Sequence, residues 1–150
     1  MLCRIISSRI VMENIAFFMN QISVNQFAIL GKEVPNEDIT MDLSIQFKTD
    51  KENRCIAMVL LVKYLKDADL LLMLELLCGF KVKPEDWDAC INGDNLVFPQ
   101  KFLRHIAVHT VGTARGVLYC KTENTPFNVF ILPPINVDKM INQDLIVPLH

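Results

Sequence analysis

The chain has 150 residues, a formal net charge of −2 and an isoelectric point near 5.9, and hydrophobic residues make up 51% of it. A chain of this length can bury the core of one domain, and we expect a single domain over residues 1–150. The acidic balance and the lack of a basic stripe argue against nucleic acid as a partner, and no apolar run reaches the ~18 residues that a membrane span needs.

Five cysteines occur in the chain, an odd number, and none of them forms a CxxC pair. Free thiols of this kind are typical of a reducing compartment. The amino-terminal residues also lack the apolar stretch and small residues of a signal peptide. We therefore expect a cytoplasmic protein.

Four strands are predicted in the first half of the chain. A first strand is expected over about residues 10–19, followed by a long connection over residues 20–38. Residues 39–48 alternate apolar and polar side chains, which is typical of a strand with one face in water. Residues 55–65 and 70–83 are apolar on both faces, so these strands should lie at the centre of the sheet. The turns between them are tight, which predicts antiparallel pairing.

A long helix is predicted in the second half. Asp94 or Asn95 is a candidate cap, and Pro99 suits the first turn. A short terminal helix is expected to begin near Val137. The fold class predicted is therefore α+β, with a four-stranded antiparallel sheet, a long helix packed on it and a short C-terminal helix. An apolar stripe at helical spacing would pack on the sheet: Leu103, Ile106, Ala107, Val111, Ala114 and Val117.

The long helix carries a second stripe, on which small residues share one face. Glycine inside a helix costs ~1 kcal/mol relative to alanine, and close approach of another backbone would compensate for that cost. We interpret the face as the interface of a homo-oligomer. Its residues are Val108, Gly112, Arg115 and Gly116.

Two patterns raise the question of chemistry. His105 and His109 share a helix face at a spacing that can bind a metal, but no third ligand can be assigned, so a solvated or interfacial pair is favoured. Glu75 stands in an apolar run, where it is either a catalytic acid or, as we favour, a carboxylate on the outer face of the sheet. No phosphate-binding loop, GxSxG or paired-carboxylate motif occurs. We expect no enzyme activity, no metal and no cofactor.

The apolar residues exceed what one helix on one sheet can bury. One helix cannot cover two sheet faces, and Phe17, Phe18 and Met19 add further apolar surface. Core packing and subunit contacts account for part of this surplus. A groove for apolar peptide segments would account for the remainder, because Met and Phe adapt to many partners.

Three motifs, in this order, resemble the SecB family of export chaperones. They are Leu96-Val97-Phe98-Pro99 near the start of the long helix, Arg115-Gly116 within it, and Pro134-Ile135-Asn136-Val137-Asp138 after it. The resemblance extends over about residues 9–140. It implies a homotetramer that binds unfolded or precursor polypeptides without ATP and passes them to the SecA motor. It also implies that the segment after the long helix crosses the structure and that the final helix caps a peptide groove.

The sequence departs from the family in two places. The family's Ile-x-Phe on the first strand is flanked by acids, whereas Ile15-Ala16-Phe17 is flanked here by Asn14 and Phe18. Of the acidic docking surface only Glu75 remains, so we expect weak or absent binding to SecA. Residues 117–124 look like an insertion relative to the family.

The resemblance and the apolar surplus together predict a peptide groove between residues 20–38 and residues 133–145. Two alternatives stay open: a SecB-like chaperone that holds the antitoxin of a toxin–antitoxin system, and a protein that binds a lipid or another apolar small molecule. An enzyme that uses Glu75 and His105 is the least favoured hypothesis. The residues expected to contact peptide are Phe18, Phe27, Ile29, Leu30, Ile141 and Leu145.

Overall fold

Residues 14–150 are described by a computed structural model, in which four long strands form one antiparallel sheet. The strands are β1 (Phe17–Ile29), β2 (Ile39–Asp50), β3 (Cys55–Lys66) and β4 (Asp69–Val82), and their order across the sheet is β1-β4-β3-β2. The two strands predicted to be central, β3 and β4, are the central ones. The predicted α+β fold class is confirmed.

Strand β1 differs from its prediction. It begins seven residues later than expected and covers residues 20–29, which were assigned to a connection. Asn and Gln are frequent there, and two register shifts, between Met19 and Gln21 and between Val24 and Gln26, break the alternation. Pairing with β4 overrides this weak local preference. The predicted positions 10–13 lie outside the described residues.

A second, smaller sheet follows the first. Helix α1 (Pro84–Ala89) leads into β5 (Ile91–Asn92) and β6 (Asn95–Phe98), and β6 also pairs with β7 (Leu145–Pro148) near the end of the chain. The sequence analysis missed this sheet. Its strands are only two to four residues long, too short for a period-2 pattern to emerge.

The long helix α2 (Gln100–Lys121) begins later than predicted. Asn95 belongs to β6, and Pro99 rather than Asp94 or Asn95 occupies the N-cap position. The capping carboxylate comes from far along the chain, since Asp144 accepts a hydrogen bond from the Gln100 amide at 2.8 Å. A cap supplied by tertiary structure leaves no local signal in the sequence.

Two short helices complete the chain. A 3₁₀ helix (Pro126–Val129) follows α2, and helix α3 (Val137–Met140) begins where predicted. The Asn136 side chain caps α3 by accepting a hydrogen bond from the Lys139 amide.

The core lies between α2 and the inner faces of β3 and β4. The predicted helix stripe is buried except for Val117, which is half-buried. Alternate residues of β4, from Leu72 through Leu76 to Phe80, have no exposed surface. The face of the sheet that carries these residues is called the helix-facing side below, and the opposite face is called the outer side.

We predict unequal losses of stability for two neighbouring leucines of β4. Leu76→Ala on the helix-facing side should lower the free energy of unfolding by ~2–5 kcal/mol, because it leaves a cavity in the core. Leu77→Ala, on the half-buried outer side, is the matched control and should cost about 1 kcal/mol. Urea unfolding at one protein concentration measures both values. Equal losses would contradict the assignment of the two faces.

Candidate functional site

The helix-facing side of edge strand β1 is left uncovered. Ile22 and Val24 pair in register with Cys78 and Leu76, so they point to the same side of the sheet as those two fully buried residues. Even so, Ile22 is 55% exposed and Val24 is 40% exposed. Helix α2 therefore leaves the middle of β1 uncovered, and the apolar surface of β1 beside α2, from Phe17 through Ile22 and Val24 to Phe27, is called the β1 groove.

Aromatic packing closes one end of the β1 groove. The ring of Phe17 makes edge-to-face contacts with Phe80, Phe102 and His105, at centroid distances of 5.6, 5.5 and 5.1 Å. The His109 ring lies 5.9 Å from Phe17 and 5.3 Å from His105. A cleft of about 460 Å³ opens beside this cluster. Its lining is Ile15, Ala16, Phe17, Met19, Phe80, His105 and His109.

A cation lies at the other end of the groove. The Lys121 ammonium, at the last turn of α2, is 5.9 Å from the centre of the Phe27 ring. Leu30, just beyond β1, is 58% exposed. The β1 groove thus runs alongside most of α2, from the histidine pair to Lys121.

The opposite edge strand, β2, is covered by residues 140–145, near the end of the chain. Ile141 is 4% exposed and lines a cleft of about 180 Å³ with Ile45, Phe47 and Leu103. The segment of residues 129–135, called the strap below, crosses the helix-facing side near β3. Its Phe130 ring stacks on Tyr64 with centroids 4.7 Å apart and planes 16° apart.

Two arginines of α2 attach this cover through main-chain carbonyls. Arg104 Nε donates to the Ile141 carbonyl oxygen at 2.8 Å. Arg115 donates through Nε to the Leu132 carbonyl at 2.6 Å and through Nη2 to the Pro133 carbonyl at 3.0 Å. The two edges of the sheet are therefore unequal, because β2 has a cover and β1 does not.

The residues predicted to contact peptide do not form one site. Phe27 and Ile29 lie on β1, whereas Ile141 and Leu145 lie over β2, at the opposite edge of the sheet. Phe18 pairs with Lys81, points to the outer side and is 61% exposed. The single groove predicted between residues 20–38 and 133–145 is therefore corrected to two separate regions. The prediction assigned residues 20–38 to a connection, whereas residues 20–29 belong to β1, which pairs with β4.

Sequence reasoning missed Ile22, Val24 and Tyr64 as site residues. The first two belong to the stretch read as a connection, and their alternation is broken by the register shift that follows Val24. Tyr64 lies in an apolar strand in which nothing distinguishes it from core. Burial raises the pKa of its hydroxyl.

The small-residue face of α2 is open. A Cβ placed on Gly112 or Gly116 would meet no atom within 4 Å, and Val108 is 55% exposed. Arg115 differs from the other three predicted interface residues, because its guanidinium is engaged with the strap. Tyr119, 46% exposed, lies on the same helix.

Glu75 lies on the outer side of the sheet, as favoured. It pairs in register with Gln26 of β1 and Leu61 of β3 and is half-buried. The outer-side residues of β1 carry no carboxylate: they are Phe18, Gln21, Ser23, Gln26 and Ala28.

The two fully buried thiols are poor nucleophiles. Burial, assisted by the Asp86 carboxylate, raises the pKa of the Cys90 thiol to about 11, and burial also raises the pKa of Cys78. Among residues 14–150, no group of three or more His, Cys, Asp and Glu side chains is placed to hold a metal ion. In the same part of the chain, no helix is long and apolar enough to cross a membrane.

Comparisons with known proteins give low similarity. No family model and no curated protein matches the chain. Among solved structures, a SecB-like chaperone of Mycobacterium tuberculosis in complex with a ChAD peptide from an antitoxin is 12% identical, with 80% of this chain and 90% of that chain covered and a TM-score of 0.48. A protein of unknown function from Streptococcus agalactiae is 11% identical, with 73% and 89% covered and a TM-score of 0.36.

Proposed function

We propose that the protein is an ATP-independent holdase that binds extended apolar segments of unfolded or precursor polypeptides in the β1 groove. The observation that carries the proposal is the exposure of Ile22 and Val24 on a side of the sheet where their neighbours in β4 are fully buried. Isolated exposed apolar residues are ordinary, but these two lie side by side on one face of β1, between the Phe17 cluster and the Phe27–Lys121 contact.

An edge strand offers two kinds of contact to an extended chain. Within residues 14–150, β1 pairs only with β4, so its other edge presents free main-chain groups. A client strand can add there through main-chain hydrogen bonds, which do not depend on its sequence. Alternate side chains of that client would then meet Phe17, Met19 and Ile22, which favours apolar residues without specifying them.

The size of the exposed surface predicts reversible binding. The exposed parts of Ile22 and Val24 together amount to about one whole side chain, and burying that area contributes roughly 1.5–3 kcal/mol. Ordering of the client opposes this gain. Along α2 the groove extends from His105 to Lys121, a rise of about 24 Å, which is the length of roughly seven extended residues. Release therefore requires no nucleotide-driven step.

We predict that the β1 groove is needed for holding clients. Ile22→Asp and Val24→Asp should each weaken suppression of aggregation of a reduced, unfolded client by about tenfold, since a charge in the trough removes its apolar contact. Ser23→Asp is the matched control, because Ser23 lies between them and pairs with Leu77 on the outer side. Light scattering of the client without ATP gives the measurement. The proposal fails if the unmodified protein does not suppress aggregation or if all three variants behave alike.

A second candidate function is the binding of a lipid or another apolar small molecule. The observation in its favour is the cleft of about 460 Å³ at Phe17, a volume within the range of small-molecule sites, with two imidazoles at its rim. Native mass spectrometry after mild extraction separates the two functions. A bound lipid mass favours this candidate, and an empty oligomer that suppresses aggregation favours the holdase.

The client class is proposed from the resemblance in the sequence. A SecB-like holdase either passes precursors to SecA or holds an unstable antitoxin. Docking on SecA through an acidic surface would need carboxylates beside Glu75, and the outer side of β1 supplies none. We therefore favour a holdase that binds its clients without docking strongly on SecA.

We predict no complex with SecA tighter than about 10 μM. One exposed ion pair contributes 0–1 kcal/mol, which does not support a stable complex. Calorimetric titration in low salt makes the measurement, with Glu75→Lys as the test variant and Glu85→Lys, on the exposed side of α1, as the charge-matched control. A submicromolar complex that Glu75→Lys alone abolishes would contradict the prediction.

We also propose a homo-oligomer, a tetramer, assembled in part through Val108, Gly112 and Gly116 on α2. Gly112→Leu should weaken assembly because it overpacks a close helix contact. Within one chain it meets open space, and leucine is a better helix former than glycine by about 0.8 kcal/mol, so the dissociated chain should become more stable.

The oligomer prediction is checked by light scattering after size exclusion, together with thermal unfolding at low concentration. Asp88→Leu, at an exposed position on α1 and so outside the face of α2, is the control and should leave the mass unchanged. A monomeric unmodified protein would contradict the prediction, as would an unchanged mass for Gly112→Leu.

A further inference from the structure

The strap lies on the sheet as a peptide segment without strand pairing. Its side chains alternate between exposed and docked: Val129 is 69% exposed, Phe130 stacks on Tyr64, Ile131 is 58% exposed and Leu132 is 1% exposed. The alternation follows from an inverse γ-turn at Phe130 (φ −82°, ψ 80°), in which the Ile131 amide donates to the Val129 carbonyl oxygen at 3.0 Å.

The contacts that hold the strap are ones that many apolar segments could make. In the described part of the chain, no backbone hydrogen bond joins residues 130–135 to a strand or to α2. Arg115 holds two main-chain carbonyls, those of Leu132 and Pro133. Every peptide has such carbonyls, so this recognition is independent of sequence.

The floor beneath the strap contains an unpaired polar atom. The Tyr64 hydroxyl oxygen has no hydrogen-bond partner, and Tyr64 is 7% exposed. A buried hydroxyl without a partner destabilises the state that buries it, and such atoms are rare in folded proteins. The closed position of the strap therefore carries a cost that is relieved when the strap leaves and water or an incoming main chain reaches the hydroxyl.

We propose that the strap is an intramolecular occupant of a second polypeptide-binding groove, floored by Tyr64 and walled by Arg115, and that an extended apolar segment of a client displaces it. The proposal rests on the holdase function for the nature of the client. A polypeptide fits this groove better than an acyl chain, because the guanidinium of Arg115 already binds consecutive main-chain carbonyls there. Exchange of one apolar segment for another leaves the buried area nearly unchanged, so the groove is never left open to water.

The test uses a synthetic peptide with the sequence of residues 126–136, PFNVFILPPIN, added to the intact protein. Phe130→Ala weakens docking of the built-in strap without altering the groove, so the peptide should bind about fivefold more tightly. Tyr64→Phe removes the unpaired hydroxyl and keeps the aromatic stack, so the strap should stay closed and the peptide should bind about fivefold more weakly. Val129→Ala, which changes an outward side chain, is the matched control and should bind as the unmodified protein does.

Two readouts separate this inference from the proposed function. Hydrogen exchange of the Ile131 and Leu132 amides should slow in Tyr64→Phe and quicken in Phe130→Ala, and a merely structural strap would not couple exchange to peptide affinity. Aggregation suppression that depends on Ile22 but is unaffected by either strap variant overturns the inference and leaves the holdase standing. If the unmodified protein does not suppress aggregation, but the peptide binds more tightly to Phe130→Ala and more weakly to Tyr64→Phe, the holdase function is overturned and the displacement of the strap stands. Absence of peptide binding in every variant overturns the inference.

Discussion

The width of one helix sets the form of this molecule. An α-helix with its side chains is about 10 Å across, and neighbouring strands lie about 4.8 Å apart, so a helix covers two strands and no more. Helix α2 lies over β3 and β4, the two strands whose inner faces are fully buried. The inner sides of β1 and β2 must therefore be covered by something else. Residues 140–145 cover β2, and the middle of β1, at Ile22 and Val24, is left open.

The cover over β2 is attached to α2 by side chains and to β6 by one short strand pair. Arg104 and Arg115 reach from α2 to main-chain carbonyls, Asp144 reaches back to the start of α2, and the β6–β7 pair holds the far end. Bonds of this kind fix a segment at a few points and leave the chain between them free of strand pairing. Helix α2 thus determines the state of both edges of the sheet. It binds the segment that covers β2, and it is too narrow to cover the middle of β1.

Much of the fold could be predicted because its signals are local. Strands β2, β3 and β4 were predicted within two residues at each end, since alternation marks β2 and apolar residues on both faces mark β3 and β4. The bounds of β1 and the start of α2 could not be predicted from local sequence. Pairing with β4 sets the bounds of β1, and the distant Asp144 caps the start of α2. The site residues were predictable only in part, for the same reason. The side of the sheet on which Glu75 lies follows from the alternation within its own strand. The exposure of Ile22 depends on which strands α2 covers, and this is decided by tertiary packing.

The register shifts in β1 limit aggregation through its exposed edge. They divide the strand into paired stretches of three, four and four residues, at 17–19, 21–24 and 26–29. Bulges bend and twist a strand, so neighbouring copies cannot stack on it in long flat register. Cross-β fibrils need that uninterrupted register, with identical segments repeating along one axis. The edge of β1 can therefore pair with a client over about four residues at a time. Because its register is interrupted within the 13 residues of the strand, it does not nucleate an amyloid fibril.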